Sequence, residues 1–206
     1  YFRLKRENQA LESRVAAKTN VIPRQFDAIA SILEKRGYIS GDKVTERGTI
    51  LSKIYAEMDL VITEAFHANL FSGLTAAELA AALSIFLYET RRELPLRIPN
   101  SKFQERVGEI AKIWLSVHED ELDSRIDETR AIDLGFVWGI YRWASGSNLH
   151  SVLHDSEMSI GDFIRAVRQI MDLLRQLLVA FPESRELFLA SIKLLDRGII
   201  ASVGNN

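Results

Sequence analysis

Cysteine is absent from the 206 residues. That excludes a disulfide framework, a thiolate nucleophile and a cysteine-based zinc site, and it fits a reducing compartment, with the cytoplasm as the default expectation. Proline and glycine are scarce, at 4 and 11 residues, so loop-rich folds have little material to draw on. No apolar run approaches the roughly 20 residues needed to cross a bilayer, and no apolar segment follows a basic start as in a secretory leader. A surplus of positive charge is missing as well. The 26 Lys and Arg against 28 Asp and Glu leave a net charge of −2, which argues against a broad basic face as the means of holding nucleic acid. Any such contact has to be local. An initiator Met is also missing, and Tyr1-Phe2-Arg3-Leu4-Lys5-Arg6 reads as mid-helix, so the start is expected to be a cut inside a longer polypeptide.

Reaction chemistry is equally thin. No glycine-rich loop ends in Lys-Ser or Lys-Thr, so nothing cradles a nucleotide's phosphates. No G-x-S-x-G elbow presents a serine nucleophile. His150 and His154 stand four residues apart on a helix, without the glutamate that a zinc hydrolase places beside such a pair. His67 in an apolar helix and His118 beside acids read as packed or solvated residues. No catalytic, metal or cofactor site is therefore expected in this fragment.

What is present is a helical pattern: apolar residues recur at three and four rather than alternating. A charged, exposed helix is expected over residues 3 to 19, and a second from Pro23 to Lys35 or Arg36, stopped by Gly37. Residues 38 to 44 read as a turn with a scrap of strand, and Thr45 starts another helix. Residues 21 to 58 thus fit the closing part of a winged-helix module. Helices are expected over 59 to 72 and, opened by a Thr75–Glu78 capping box, from 75 to about Arg92. Two prolines between Leu94 and Pro99 make a linker. Ser101 with Gln104 opens a helix to 119, ending in the acidic cluster His118-Glu119-Asp120-Glu121, which reads as a solvated face. Further helices are expected from Asp133 to Ala144, near 148 to 154, from Ser159 to Val179 and from 184 to 197. Trp114, Trp138 and Trp143 read as core.

The long helix carries the most information. On a wheel at about 100° per residue, Phe163, Val167, Ile170, Leu174 and their apolar neighbours cover roughly half the circumference. The opposite wedge collects Arg165, Arg168, Gln169, Asp172, Arg175 and Gln176. Two readings stay open on spacing alone: a stripe facing water, with Asp172 pairing to Arg168 or Arg175, or a stripe lining a path for phosphates and bases, for which Arg and Gln are suitable donors.

Five segments carry a family resemblance. They are Thr45-Glu46-Arg47-Gly48 with Leu51 through Asp59-Leu60; Leu74 through Ser84 with Tyr88-Glu89; Asp133-Leu134-Gly135-Phe136; Tyr141-Arg142-Trp143-Ala144-Ser145-Gly146; and Gly161-Asp162-Phe163-Ile164-Arg165. In that order, over roughly residues 21 to 201, they resemble the C-terminal DSHCT domain of Ski-type DExH-box RNA helicases. The stretch Asn20 through Asp27, with Leu33 through Tyr38, resembles the bacterial HelY-type members and implies an actinobacterial source. The resemblance implies an all-α bundle at 59–206, preceded by a partial winged-helix segment at 21–58 and a linker helix at 1–20. It implies that ATP and Mg²⁺ sit on two RecA-like domains outside this chain. It also implies that the helix at 159–179 is a "ratchet" helix touching unwound RNA at Arg165, Arg168 and Gln169, with Glu89 near it. Asp172 joins them by its place on the stripe, and Arg142 by its place beside Trp143.

The function expected is therefore that of a non-catalytic accessory domain of an ATP-dependent helicase, guiding single-stranded RNA, or DNA, and packing on the RecA-like domains of its own polypeptide, with no membrane partner. Two competitors come from other classes. One is a helix-turn-helix regulator reading duplex DNA through residues 45 to 57, a segment offering mainly Glu46, Arg47 and Lys53. The other is a helical scaffold binding proteins through an exposed apolar face.

Overall fold

A computed structural model of the chain describes residues 21–90, 96–126, 129–156 and 158–203. The helix expected over 3 to 19 and part of the 94–99 linker lie outside the described residues. In chain order the described elements are α1 (Val21–Lys35), β1 (Ile39–Ser40), β2 (Lys43–Val44), α2 (Glu46–Leu51), α3 (Asp59–His67), α4 (Ala76–Ser84), α5 (Ser101–Asp123), α6 (Val137–Ala144), α7 (Leu149–Ser156), α8 (Ile160–Ala180), a 3₁₀ turn (Pro182–Ser184), α9 (Arg185–Leu195) and α10 (Ile199–Val203). The all-α class expected from the apolar spacing is what the chain adopts. The described residues fall into two compact units, the first from within 21–48 and 118–126 and the second from within 49–117 and 129–203. The segment 21–58 thus contributes its residues up to Gly48 to the first and the remainder to the second.

In the smaller unit, α1 stops where Gly37 takes a φ of +76°, a conformation that a side chain would resist. The scrap of strand is an antiparallel pair in the register Ile39↔Val44 and Ser40↔Lys43. Thr45 then caps α2: its hydroxyl accepts from the Gly48 amide at 3.2 Å and lies 2.8 Å from the Gly37 carbonyl. Glycine is required at 48 because a Cβ there would land on the carbonyl oxygen of the fully buried Tyr38.

The acidic end of α5 departs from expectation. Asp120 and Glu121 are buried rather than solvated. The Asp120 carboxylate accepts from Lys35 and, at 2.7 Å, from Arg36 Nε. Burial alone would raise the Asp120 pKa, but the Lys35 hydrogen bond and the Arg36 charge outweigh it and hold the carboxyl below its usual range. A carboxylate is tolerated inside because two cations meet it.

The larger unit is built around α4, in which every residue from Glu78 to Ser84 is buried. Three consecutive alanines, Ala80 to Ala82, keep its surface low, so α6, α8 and α9 approach it closely. The expected capping box is present: the Thr75 hydroxyl accepts from the Glu78 amide while the Glu78 carboxylate accepts from the Thr75 amide at 2.8 Å. The same carboxylate accepts from Asn100 Nδ2 at 2.6 Å. Asn100 in turn caps α5, accepting from the Phe103 amide at 2.9 Å, so the opener of that helix is Asn100 and not the Ser101–Gln104 pair.

Other helix limits are corrected by tertiary partners. α4 ends at Ser84 rather than Arg92, because the carbonyls that would continue it are taken. Arg130 donates to the Phe86 carbonyl at 2.8 Å, the Asp133 amide to that of Ile85 at 3.4 Å, and the Thr90 amide to Asp133 Oδ2 at 2.6 Å. Asp133 therefore holds a turn, also accepting from the Gly135 amide, and α6 starts only at Val137. α3 stops at His67 instead of 72, where Asn69 turns to a φ of +57°. The helix expected over 184 to 197 runs from Arg185 to Leu195, Gly198 takes a positive φ and α10 follows. Arg197 lies 3.7 Å from the centre of the Trp143 ring and donates to the carbonyls of Trp143 and Ser147, tying α9 to α6.

Candidate nucleic-acid interface

The element that displays the sequence-predicted residues is α8. Ser159, in extended geometry, caps it by accepting from the Asp162 amide at 3.1 Å, and Phe181 followed by Pro182 ends it. Phe163, Val167, Ile170, Leu173, Leu174 and Leu177 are buried to within 2%. Phe163 meets Phe136 and Trp143 edge-on, with ring centres 6.0 and 5.2 Å away. Burying side chains of this size stabilises by about 1.5–3 kcal/mol each, so α8 is firmly seated in the larger unit.

The opposite face stays open. Arg165, Gln169, Asp172 and Arg175 are exposed, and Arg168 and Gln176 half-buried. The helical register that buries the apolar set turns the whole stripe outward, neither sealed in the bundle nor splayed to unrelated sides. Arg175 pairs with Asp172 one turn back, the pairing anticipated from spacing, and Arg165 lies 3.6 Å from Asp162. Exposed pairs of this kind contribute little and exchange readily. Arg168 and Gln169 make no hydrogen bond or ion pair among the described residues. Two donor groups are thereby left available, side by side, on a rigid support.

Beside the later turns of α8 lies a cleft of about 380 Å³. Its walls are the loop Tyr55-Ala56-Glu57, the turn Phe86-Leu87, and Gln169, Asp172, Leu173 and Gln176 of α8. The loop is fixed to the helix: the Tyr55 amide donates to Gln176 Oε1 at 2.7 Å and Lys53 Nζ to the Val179 carbonyl at 3.5 Å. Glu57 takes Arg130 Nε at 3.3 Å. The structure thus brings Gln169 and Asp172 together in one concavity, with Arg165 and Arg168 on the preceding turns of the same stripe.

Glu89 and Arg142 are placed differently. Glu89 is exposed but lies beyond the end of α4 and does not line the cleft. Arg142, on α6, is half-buried and donates to the hydroxyls of Ser147 and Ser151 at 3.3 and 3.2 Å, bracing the turn into α7. Tyr55 and Glu57 are residues that sequence reasoning passed over. The available signal was a large aromatic next to acids in a loop, which has no periodicity to mark it. The segment 45 to 57, weighed as a DNA-reading helix, is helical only over Glu46–Leu51, too short to lie along a groove.

Residues 41–202 match the DSHCT (NUC185) domain. The chain belongs to the DSHCT family. Similarity extends to the "Probable helicase HelY" of Mycobacterium leprae, 36% identical over 98% of this chain, and to that of Mycobacterium tuberculosis H37Rv, 33% identical over the same share. The human "Exosome RNA helicase MTR4" is 28% identical over 71% of the chain. This DSHCT-containing chain spans 24% of the length of the mycobacterial relatives and 14% of the human one, so it corresponds to one part of proteins named as helicases. No helix among the described residues is long and apolar enough to cross a membrane.

Proposed function

We propose that this chain is the accessory domain of an ATP-dependent RNA helicase and that the unwound strand runs along the polar stripe of α8. One observation carries the proposal: the helix is buried on one face while Arg165, Gln169 and Asp172 are exposed and Arg168 half-buried on the other. Arg168 supplies a guanidinium with no competing partner among the described residues, suited to a phosphate oxygen. Gln169 supplies an amide suited to a base edge or sugar hydroxyl. The names of the relatives support helicase membership, and RNA is the substrate class named for the human protein. ATP and Mg²⁺ then belong to RecA-like domains elsewhere in the polypeptide, on which this domain packs, and the setting is the cytoplasm. Glu89 and Arg142 are proposed as outlying contacts with the same strand.

The stripe holds three arginines, so at most about three counterions are displaced, with a salt slope of roughly −2 on single strands. The isolated chain therefore binds weakly, and tethering to the motor supplies the remaining affinity. The test is Arg165→Glu with Arg168→Glu in the full-length protein. Unwinding falls while helical content by circular dichroism and ATP binding stay intact. Unwinding at the wild-type rate rejects the stripe as the strand's path.

A further inference from the structure

The cleft beside α8 differs chemically from the stripe that leads to it. Its ionisable wall groups are carboxylates, Glu57 and Asp172, and its neutral polar groups include the amides of Gln169 and Gln176. Among the described residues no arginine or lysine lines it; the nearest cations, Arg130 and Arg175, are each paired to one of the two wall carboxylates. Tyr55, 80% exposed, stands on its rim, and the cleft's other walls include Phe86, Leu87 and Leu173. An aromatic rim, apolar walls and acceptor-rich polar groups suit a flat heterocycle that donates hydrogen bonds. The cleft volume, about 380 Å³, is within the range of small-ligand sites, roughly 300–1,000 Å³.

The arrangement of donors narrows the choice among bases. One Asp172 oxygen pairs with Arg175, and the other makes no hydrogen bond among the described residues. Each carboxylate oxygen has two lone pairs, so the open oxygen and the second lone pair of the one that Arg175 meets can together accept from two adjacent donors. Guanine alone among the four common bases presents two in a row, N1–H and the N2 amino group, with the O6 acceptor beside them. Adenine and cytosine each set one amino donor beside a bare ring nitrogen, and uracil sets one N–H between two carbonyls. The Gln169 amide, on the preceding turn of α8 and partnerless among the described residues, is a donor for O6. Gln176 Oε1 is already occupied by the Tyr55 amide, which fixes the rim in place before a base arrives.

We infer that the cleft walled by Tyr55, Glu57, Gln169 and Asp172 is a nucleobase subsite that prefers guanine, with Tyr55 stacking on the ring and the Asp172 carboxylate reading its donor edge. As a sequence preference on the passing strand, this rests on the strand path proposed above. Recognition of the base itself does not.

The experiment has two arms, both on the 206-residue chain. Saturation-transfer NMR with guanosine, adenosine, cytidine and uridine tests the cleft without any strand. Fluorescence anisotropy with octauridine, and with octauridine carrying one central guanine, tests the strand. Guanosine is expected to receive the strongest saturation, and the guanine-bearing oligonucleotide to bind roughly tenfold tighter than octauridine. Asp172→Asn, with unchanged circular dichroism, brings both preferences close to one. Tyr55→Ala weakens guanosine binding roughly fivefold or more. Equal saturation of the four nucleosides, or a guanosine preference that survives Asp172→Asn, overturns the subsite. A guanosine preference lost in Asp172→Asn upholds the subsite whatever the oligonucleotides do, and the strand path is judged separately, by unwinding in the Arg165→Glu, Arg168→Glu full-length protein.

Discussion

Two polar stretches of this chain look alike as sequence and end in opposite surroundings. Arg165 to Gln176 on α8 and His118 to Glu121 on α5 are both charged runs at helical spacing, and both invite the reading of a solvated face. On α8 the neighbours i±3 neutralise part of the charge and water takes the remainder. On α5 the Asp120 carboxylate is withdrawn from water and met by Lys35 and Arg36, more than eighty residues earlier in the chain. The difference teaches that a charged run is exposed by default only if nothing distant claims it. One region is thereby a structural fastener in the smaller unit, and the other an open, chemically available edge in the larger.

The comparison breaks most visibly at Asp120. Asp120→Ala removes the buried carboxylate that Lys35 and Arg36 both meet, and is expected to destabilise by about 3 kcal/mol in urea unfolding. A loss below about 1 kcal/mol means the carboxylate is no fastener.

Next in size is Asp59, a third acidic environment that sharpens the contrast. Burial pushes its carboxyl up to about 6, against a smaller opposing effect of the Leu60 amide, and no cation pairs with it among the described residues. Its folded pKa lies above its unfolded one, so the folded state holds the proton more tightly. The penalty is fully present above about pH 6 and is relieved as pH falls toward 4. Asp120 and Glu78 are depressed, so their contribution is present above the usual carboxylate range and is lost at lower pH. Stability therefore rises from pH 7 to about 4.5 and then falls. Asp59→Asn removes the rising part and gains on the order of 2 kcal/mol at pH 7. A pH-independent melting temperature between 7 and 5 in the wild type counts against this assignment.

The smallest stability effect belongs to the open edge. Arg165→Glu with Arg168→Glu shifts unfolding by no more than about 0.5 kcal/mol, so any loss of unwinding is not a loss of fold. Within the stripe, Arg168→Ala is expected to reduce the salt slope of RNA binding by about 0.7, and Arg175→Ala by less, because Asp172 already holds Arg175. Equal slopes for the two variants remove the distinction between a free and a paired arginine.

Much of the fold was legible because its punctuation is local. Thr75, Ser159 and Gly37 mark helix ends through groups within a few residues of themselves, and the apolar face of α8 follows from period alone. What was not legible depends on partners far along the chain. α4 stops at Ser84 because Arg130 and Asp133 occupy its next carbonyls, and no window around residue 85 contains them. The stripe could be read from spacing, since its members share one helix. The cleft could not, because Tyr55 and Glu57 come from a loop 121 residues from the glutamine that anchors it.

The order of residues along α8 has one more effect. From Arg165 to Gln176 the helix advances about 16 Å, and over that span its stripe passes from two arginines, Arg165 and Arg168, to the mutually neutralising Asp172–Arg175 pair. The positive end of the helix macrodipole lies on the cationic side. The two contributions add, so the rod has an electrostatic gradient that falls from its first turns to its last. A negatively charged group laid beside it is therefore held more firmly along the earlier half of the rod than along the later half.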